Sequence, residues 1–206
     1  MTTTEPTAEG ARIWGGTTLG ERRAARRRQL VETGLDLLGG EAPGAVSVRA
    51  ACRGAKLTER YFYESFADRD ALVLAVYEDV ADEARTALED ATRTATDPVD
   101  VARRSVEAMV GLMVDDPRKG RVLLVAPITE SALASRTMEL APVITAIIRS
   151  QLPPGTSERT RNLIATGLLG ALMSLFHAYL QGTLQVSREV FVEHCVSLLL
   201  NVDRLR

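Results

Sequence analysis

The sequence predicts an all-α protein of about nine helices. Three observations carry that expectation. Apolar residues recur at helical spacing, Ser and Asp helix-start signals recur along the chain, and no alternating run is long enough to propose a sheet. With 206 residues, 46% of them apolar, the chain can bury a substantial core. Composition divides it into a polar arm over residues 1–19, a small unit over 20–67 and a larger helical unit over 68–206.

The arm is rich in Thr and Gly and carries a single aromatic, Trp14; it lacks the continuous apolar run of a secretory signal. "GERRAARRRQLVETGLDLLGG" follows as a first helix, with Leu30, Val31, Gly34, Leu37 and Leu38 on one face, ended by Gly39 and Gly40. Beyond the loop "EAPGA", Ser47 caps a short helix "VRAACRG", a tight turn spans Ala55–Leu57, and Thr58 caps a second short helix, "ERYFYES". Asp68 then opens a long helix from Arg69 to about Leu88.

Asp97-Pro98 and Asp116-Pro117 each read as an N-cap followed by proline at the first helical position. "GRVLLVAP" is the most strand-like run, read here as the end of a helix stopped before Pro127. Residues 129–150 read as a helix bent near Pro142, "LPPGTS" as a linker, and Ser157 as the cap of a long helix ending near Gly182. Ser187 caps the last helix, in which Phe191, Cys195, Leu198, Leu199 and Val202 share a face.

The net charge of -2 hides an uneven distribution. From Arg12 to Arg69 there are eleven basic and seven acidic residues, while the rest is acidic, so the N-terminal third suits a polyanionic partner. Cys52 and Cys195 offer neither a disulfide framework nor metal-ligand spacing and read as buried hydrophobes in a reducing cytoplasm. No Asp, Glu, Lys or Arg occurs between Arg161 and Arg188, a length that would span a bilayer. Asn162, Thr166, Ser174, His177 and Gln181 interrupt the run, which favours a helix at a subunit interface over a membrane span.

Four of the nine aromatic residues fall in "RYFYESF", residues 60–66. Two short helices joined by a tight turn, behind a longer helix in the basic third, fit a helix-turn-helix whose second short helix enters the DNA major groove. Phe62 and Phe66, four apart, face inward; Glu59, Arg60, Tyr61 and Tyr63 then lie largely outside. Arg60 is the best candidate for a bidentate guanine contact, and a tyrosine hydroxyl or Thr58 suits a phosphate oxygen.

The run "SVRAACRGAKLTERYFYESFADRDAL" resembles the DNA-binding segment of TetR-family transcriptional repressors. Ser47, Val48 and Arg49 fall on that pattern's opening triplet, and Ala55, Leu57 and Thr58 on its turn. Phe62, Tyr63 and Phe66 fall on its aromatic block, with Arg69 on its basic residue and Leu72 on its closing leucine. The match covers residues 21–80. Lys56 stands where the family usually has a turn glycine, Ser65 replaces a histidine or tyrosine, and Tyr61 replaces a small residue.

The resemblance implies that Ser47, Tyr63 and Arg69 touch the DNA backbone and that Thr58, Glu59, Arg60 and Tyr61 face base edges. Lys56 adds a positive charge beside the phosphates, and Arg49 is either a phosphate ligand or an exposed helix residue. Arg22, Arg23, Arg26, Arg27 and Arg28 either reach a neighbouring groove or are solvated helix charges. The resemblance also implies a homodimer on an inverted-repeat operator and middle helices that enclose a small apolar or amphipathic effector.

Gly167, Gly170, Ala171 and Ser174 on the uncharged helix, with Phe191, Cys195 and Leu198 on the last one, are the candidate dimer interface. Met109, Met113, Leu123, Met138, Met173, Phe176 and His177 are the candidate effector contacts. Methionines at this spacing are more often core than ligand contacts, and His177 reads either as an effector hydrogen-bond partner or as a satisfied polar group at the interface. Ser174 and His177 at i, i+3 lack an acidic orienter and an oxyanion signature, so an enzyme is the weaker alternative. A transcriptional activator on the same fold is the other. No metal or cofactor is expected.

Overall fold

Thr18 opens the first helix, α1 (Leu19–Gly39), with a reciprocal capping box. Its hydroxyl accepts from the Glu21 N–H, and the Glu21 carboxylate accepts from the Thr18 N–H. The computed structural model describes residues 18–40, 46–152 and 155–201, without the side chains of residues 135, 137–140 and 143. Most of the arm, the "EAPGA" loop, Val202 and Met138's side chain therefore lie outside the described residues.

Helices α2 (Val48–Gly54) and α3 (Glu59–Tyr63) follow, then α4 (Arg69–Thr94). The Ser47 hydroxyl accepts from the Ala50 N–H, and the Asp68 carboxylate from that of Ala71, so both caps form as the sequence predicts. Thr58 occupies the N-cap position of α3, but its side chain makes no capping bond there. Helix α4 runs beyond Leu88 because Ala91 is still buried and Arg85–Glu89 and Arg93–Asp90 ion pairs brace the last turns.

Helices α5 (Pro98–Met113) and α6 (Pro117–Leu124) start at the two Asp-Pro signals, with Asp97 and Asp116 accepting from backbone N–H groups. The "GRVLLVAP" run is helical up to Leu124. The single helix expected from 129 is instead split. Pro127 restarts the chain as α7 (Ala126–Thr129), the extended backbone of Glu130 interrupts it, and a 3₁₀ turn Ser131–Leu133 leads into α8 (Ala134–Ser150). Helices α9 (Glu158–Leu180) and α10 (Arg188–Leu200), capped by Ser157 and Ser187, complete ten α-helices among the described residues, and no strand occurs there.

Three apolar cores organise these elements. The first joins α1, α2 and α3 to the N-terminal half of α4, and is closed by Val122, Ala126 and Leu133 from the α6–α7 region. The second joins α5, α9 and α10 around Val110, Phe176, Phe191 and Cys195. A small third cluster packs Leu152 on Ile164 and Leu168. A division at residue 67 therefore cuts through a shared core. Helices α4 and α6 belong to both ends of the molecule, and α6 packs along α1.

Candidate nucleic-acid interface and effector cavity

The turn between α2 and α3 is built on Lys56, whose φ of +52° puts it in the left-handed region. That conformation lets the Leu57 N–H reach back to the Cys52 carbonyl at 2.9 Å, ending α2 and swinging the chain into α3. Phe62 is fully buried, and its ring lies 5.8 Å from that of Phe66, so the two anchor α3 onto α1 and α4. Tyr63 is 57% exposed and Tyr61 37% exposed on the opposite side. Ser47, Arg49, Lys56, Thr58, Glu59 and Arg60 are exposed as well.

Glu64 ends this helix and gathers arginines. Its carboxylate pairs with Arg60 at 3.3 Å and Arg26 at 3.4 Å, and its carbonyl accepts from the Arg23 guanidinium. Arg26 also stacks over the Tyr61 ring at 4.4 Å, and Arg27 over Phe66 at 4.8 Å. Arg23, Arg26 and Arg27 thus tie α1 to α3 and to the segment that follows it. Cations at the C-terminal end of a helix also complement its dipole. Arg22 and Arg28 remain exposed.

Arg69 is engaged within the protein. Its Nε donates to the Val46 carbonyl at 3.1 Å, and its terminal nitrogens donate to Asp70 and Glu130 at 2.7 and 2.5 Å. A half-buried guanidinium held on three sides positions the loop before α2; a phosphate would have to displace those partners.

Between α4–α5 on one side and α8–α9 on the other lies a cavity of about 670 Å³. Met109, Met113, Leu123, Met173 and Phe176 line it, as the sequence leads one to expect. His177, another candidate contact, does not line it. Tyr77, Arg85, Ser105 and Gln151 also line it, and no sequence pattern marks them for that place.

Helix α9 turns Leu163, Thr166, Gly167, Gly170 and Ser174 outward, with Ala171 at the edge, and a Cβ placed at either glycine would meet open space. Leu163 is 70% exposed. The last helix contributes differently from expectation. Phe191 and Cys195 sit in the protomer's own core, Phe191 stacked edge-on with Phe176, so neither is available to a second chain. Burial pushes the Cys195 thiol up to about 11 and raises that of Cys52, which keeps both unreactive. Leu198 is half-buried against the third cluster.

No protein-family model and no curated protein sequence matches this chain. Solved structures do. A putative transcriptional regulator from Pseudomonas aeruginosa PAO1 superposes with a TM-score of 0.73 at 21% identity, covering 88% of this chain and 90% of that one. A TetR-like transcriptional regulator from Rhodococcus sp. RHA1 gives 0.70 at 18% identity, with coverages of 89% and 98%. The multidrug binding protein EbrR, complexed with imidazole, gives 0.62 at 17% identity, with coverages of 84% and 94%. The fold is TetR-like.

On this TetR-like scaffold the residues that sequence reasoning overlooked are those that brace α3, Arg69 and α1 from other parts of the chain. Glu64 lies four residues after Arg60, a spacing that signals an ion pair. Glu130, 61 positions from Arg69, carries no such signal. Nor does Arg118, whose guanidinium joins Asp116 to Glu32 and Asp36 of α1 at 2.8, 2.9 and 2.5 Å.

Proposed function

We propose that the protein is a homodimeric, ligand-responsive DNA-binding transcriptional regulator of TetR type, a repressor that a small apolar or amphipathic effector releases from its operator. The observation that carries this reading is the sorting of α3. Its apolar rings are buried as anchors while its hydrogen-bonding side chains stand exposed beside a cationic turn. A short helix held in this way has the form needed to enter a major groove. Arg60, Thr58, Glu59 and Tyr61 are assigned to base edges, and Ser47, Tyr63, Arg49 and Lys56 to the backbone.

The exposed glycine face of α9 supports pairing with a second copy, which would place two α3 helices on successive half-sites. Helix α9 is also long and apolar enough to cross a membrane; the interface assignment accounts for that composition in a cytoplasmic protein. The apolar cavity supports the effector, and EbrR, of the same fold, is described as binding multiple drugs.

The test is a footprint over the intergenic DNA flanking the coding region, using purified full-length protein at moderate salt. The expected result is protection of an inverted repeat with half-sites one helical turn apart. Uniform, sequence-independent protection would overturn the proposal.

A further inference from the structure

We propose that the cavity takes a long single-chain amphiphile with an uncharged hydrogen-bonding head, its tail directed toward α6, and that tail length decides whether binding releases DNA. The second half of this statement rests on the regulator reading; the first does not.

Shape comes first. Helix α5 lines the cavity from Pro98 to Met113. At about 1.5 Å per residue that is roughly 22 Å, about twice the diameter of a sphere of the same volume. An extended ligand uses such a space better than a compact one.

Polarity then sets direction. Apart from Tyr77, the hydrogen-bonding side chains on the wall are Arg85, Ser105, Ser150 and Gln151. Ser150 and Gln151 close the C-terminal end of α8, far along the chain from the 3₁₀ turn that packs on α4. The opposite end is formed by Met113, Leu123, Leu124 and Phe176, and the hydrogen-bonding side chain nearest them, Tyr77, is buried and already partnered, so a polar head there would give up water for little return. The head therefore belongs at the α8 end and the tail at the α6 end.

Charge selects the head. Arg85 is already matched by Asp82 at 3.1 Å and Glu89 at 3.0 Å. An anionic head would find the Arg85 guanidinium already matched. The Ser150 hydroxyl donates to the Ile147 carbonyl and accepts from the Gln151 amide, so an alcohol, amide or ester head has the Ser105 hydroxyl, the rest of the Gln151 amide and the outward edge of Arg85 to bond.

Helix α6 links the tail to the other end of the molecule. Leu123 and Leu124 face the cavity, while Arg118 binds Glu32 and Asp36 of α1 and Arg121 donates to the Gly39 carbonyl at 2.8 Å. Gly39 lies directly against the Arg118 carbonyl, with no room for a Cβ between them. A tail that presses on Leu123 must move α6, and α6 has no slack against α1. A shorter tail fills only the α8 end and leaves α6 where it stands. Release requires the effector to bind the two arrangements unequally, and only the long tail touches the element that differs.

The experiment uses the full chain and the straight-chain primary alcohols from octanol to hexadecanol, each below its solubility limit, with the matching carboxylates in parallel. Calorimetry reads binding, and fluorescence anisotropy on the footprinted operator reads release. Affinity should rise about fourfold per methylene up to a cut-off, as burial of about 0.8 kcal/mol per CH₂ implies. Release should begin only near that cut-off, and the carboxylates should bind at least tenfold more weakly.

Ala81→Phe, which fills the wall near the α6 end, should move the cut-off to shorter chains; Ala84→Phe serves the same purpose should the first variant not fold. Affinity independent of length, equal affinity for carboxylates, or a loss in the filled variants that is uniform across lengths would each overturn the assignment. A length cut-off in calorimetry without any operator footprint would sink the regulator reading and leave the cavity assignment standing.

Discussion

Lys56 occupies a left-handed conformation that costs a side-chain-bearing residue on the order of 1 kcal/mol relative to glycine. Lys56→Gly should therefore raise stability by about that amount, seen as a higher urea midpoint at unchanged slope. No rise would mean that the turn relaxes around glycine. On the neighbouring helix, Arg60→Ala should relax discrimination at one base pair by about 1–3 kcal/mol, and unchanged discrimination would assign the reader elsewhere. Tyr63→Phe should instead weaken binding to all sequences alike, because the hydroxyl is assigned to phosphate; an altered sequence preference would refute that role. The four rings of "RYFYESF" were separable from sequence, since a 3.6-residue period with Phe62 inward leaves Tyr61 and Tyr63 outward. Arg69 was not separable. A basic residue in the right register gives no sign of the ion pair it makes with Glu130, in the break between α7 and the 3₁₀ turn.

Helix α6 shows what capping can encode. Asp116 both opens the helix and pairs with Arg118, whose hydrogen bond is the largest influence holding the Asp116 carboxyl below its ordinary value. The folded state thus binds that proton less readily than the unfolded chain. The resulting stabilisation is complete above the unfolded value, near pH 4, and is lost as pH falls through the lower folded one. The stability gap between wild type and Asp116→Asn should therefore narrow below pH 4 in urea titrations run from pH 6 to 3; a constant gap would disprove the linkage. The start of α6 was legible because Asp-Pro is a local signal. The break between α7 and α8 was not, because the extended Glu130 answers to Arg69 as well as to its neighbours.

At the scale of the whole molecule, the outward face of α9 is the surface assigned to a second copy. Leu163→Arg should shift the protein toward monomers in sedimentation velocity and lower operator affinity at least tenfold, since each half-site would then bind alone. A stable dimer in that variant would move the interface elsewhere. The sequence marked α9 by its missing charges but misjudged α10, for a plain reason. Apolar spacing reports that a face is buried, not whether its own chain or another covers it, and Phe191 and Cys195 are covered by their own. The same limit blurred the domain border, which pattern placed at residue 67 and packing spreads over α4 and α6.

Glu64 has a meaning beyond its structural bonds. With Arg60 and Arg26 on its carboxylate, it acts as a resident counterion, an internal substitute for the phosphate or base edge that Arg60 is proposed to meet. On that proposal Arg60 is shielded from stray polyanions while unbound and would exchange one acceptor for another on docking. Glu64→Gln should tighten binding to random-sequence DNA more than to the operator. The residue that never touches DNA would then be the one that sets how selectively the protein ignores the rest of the genome.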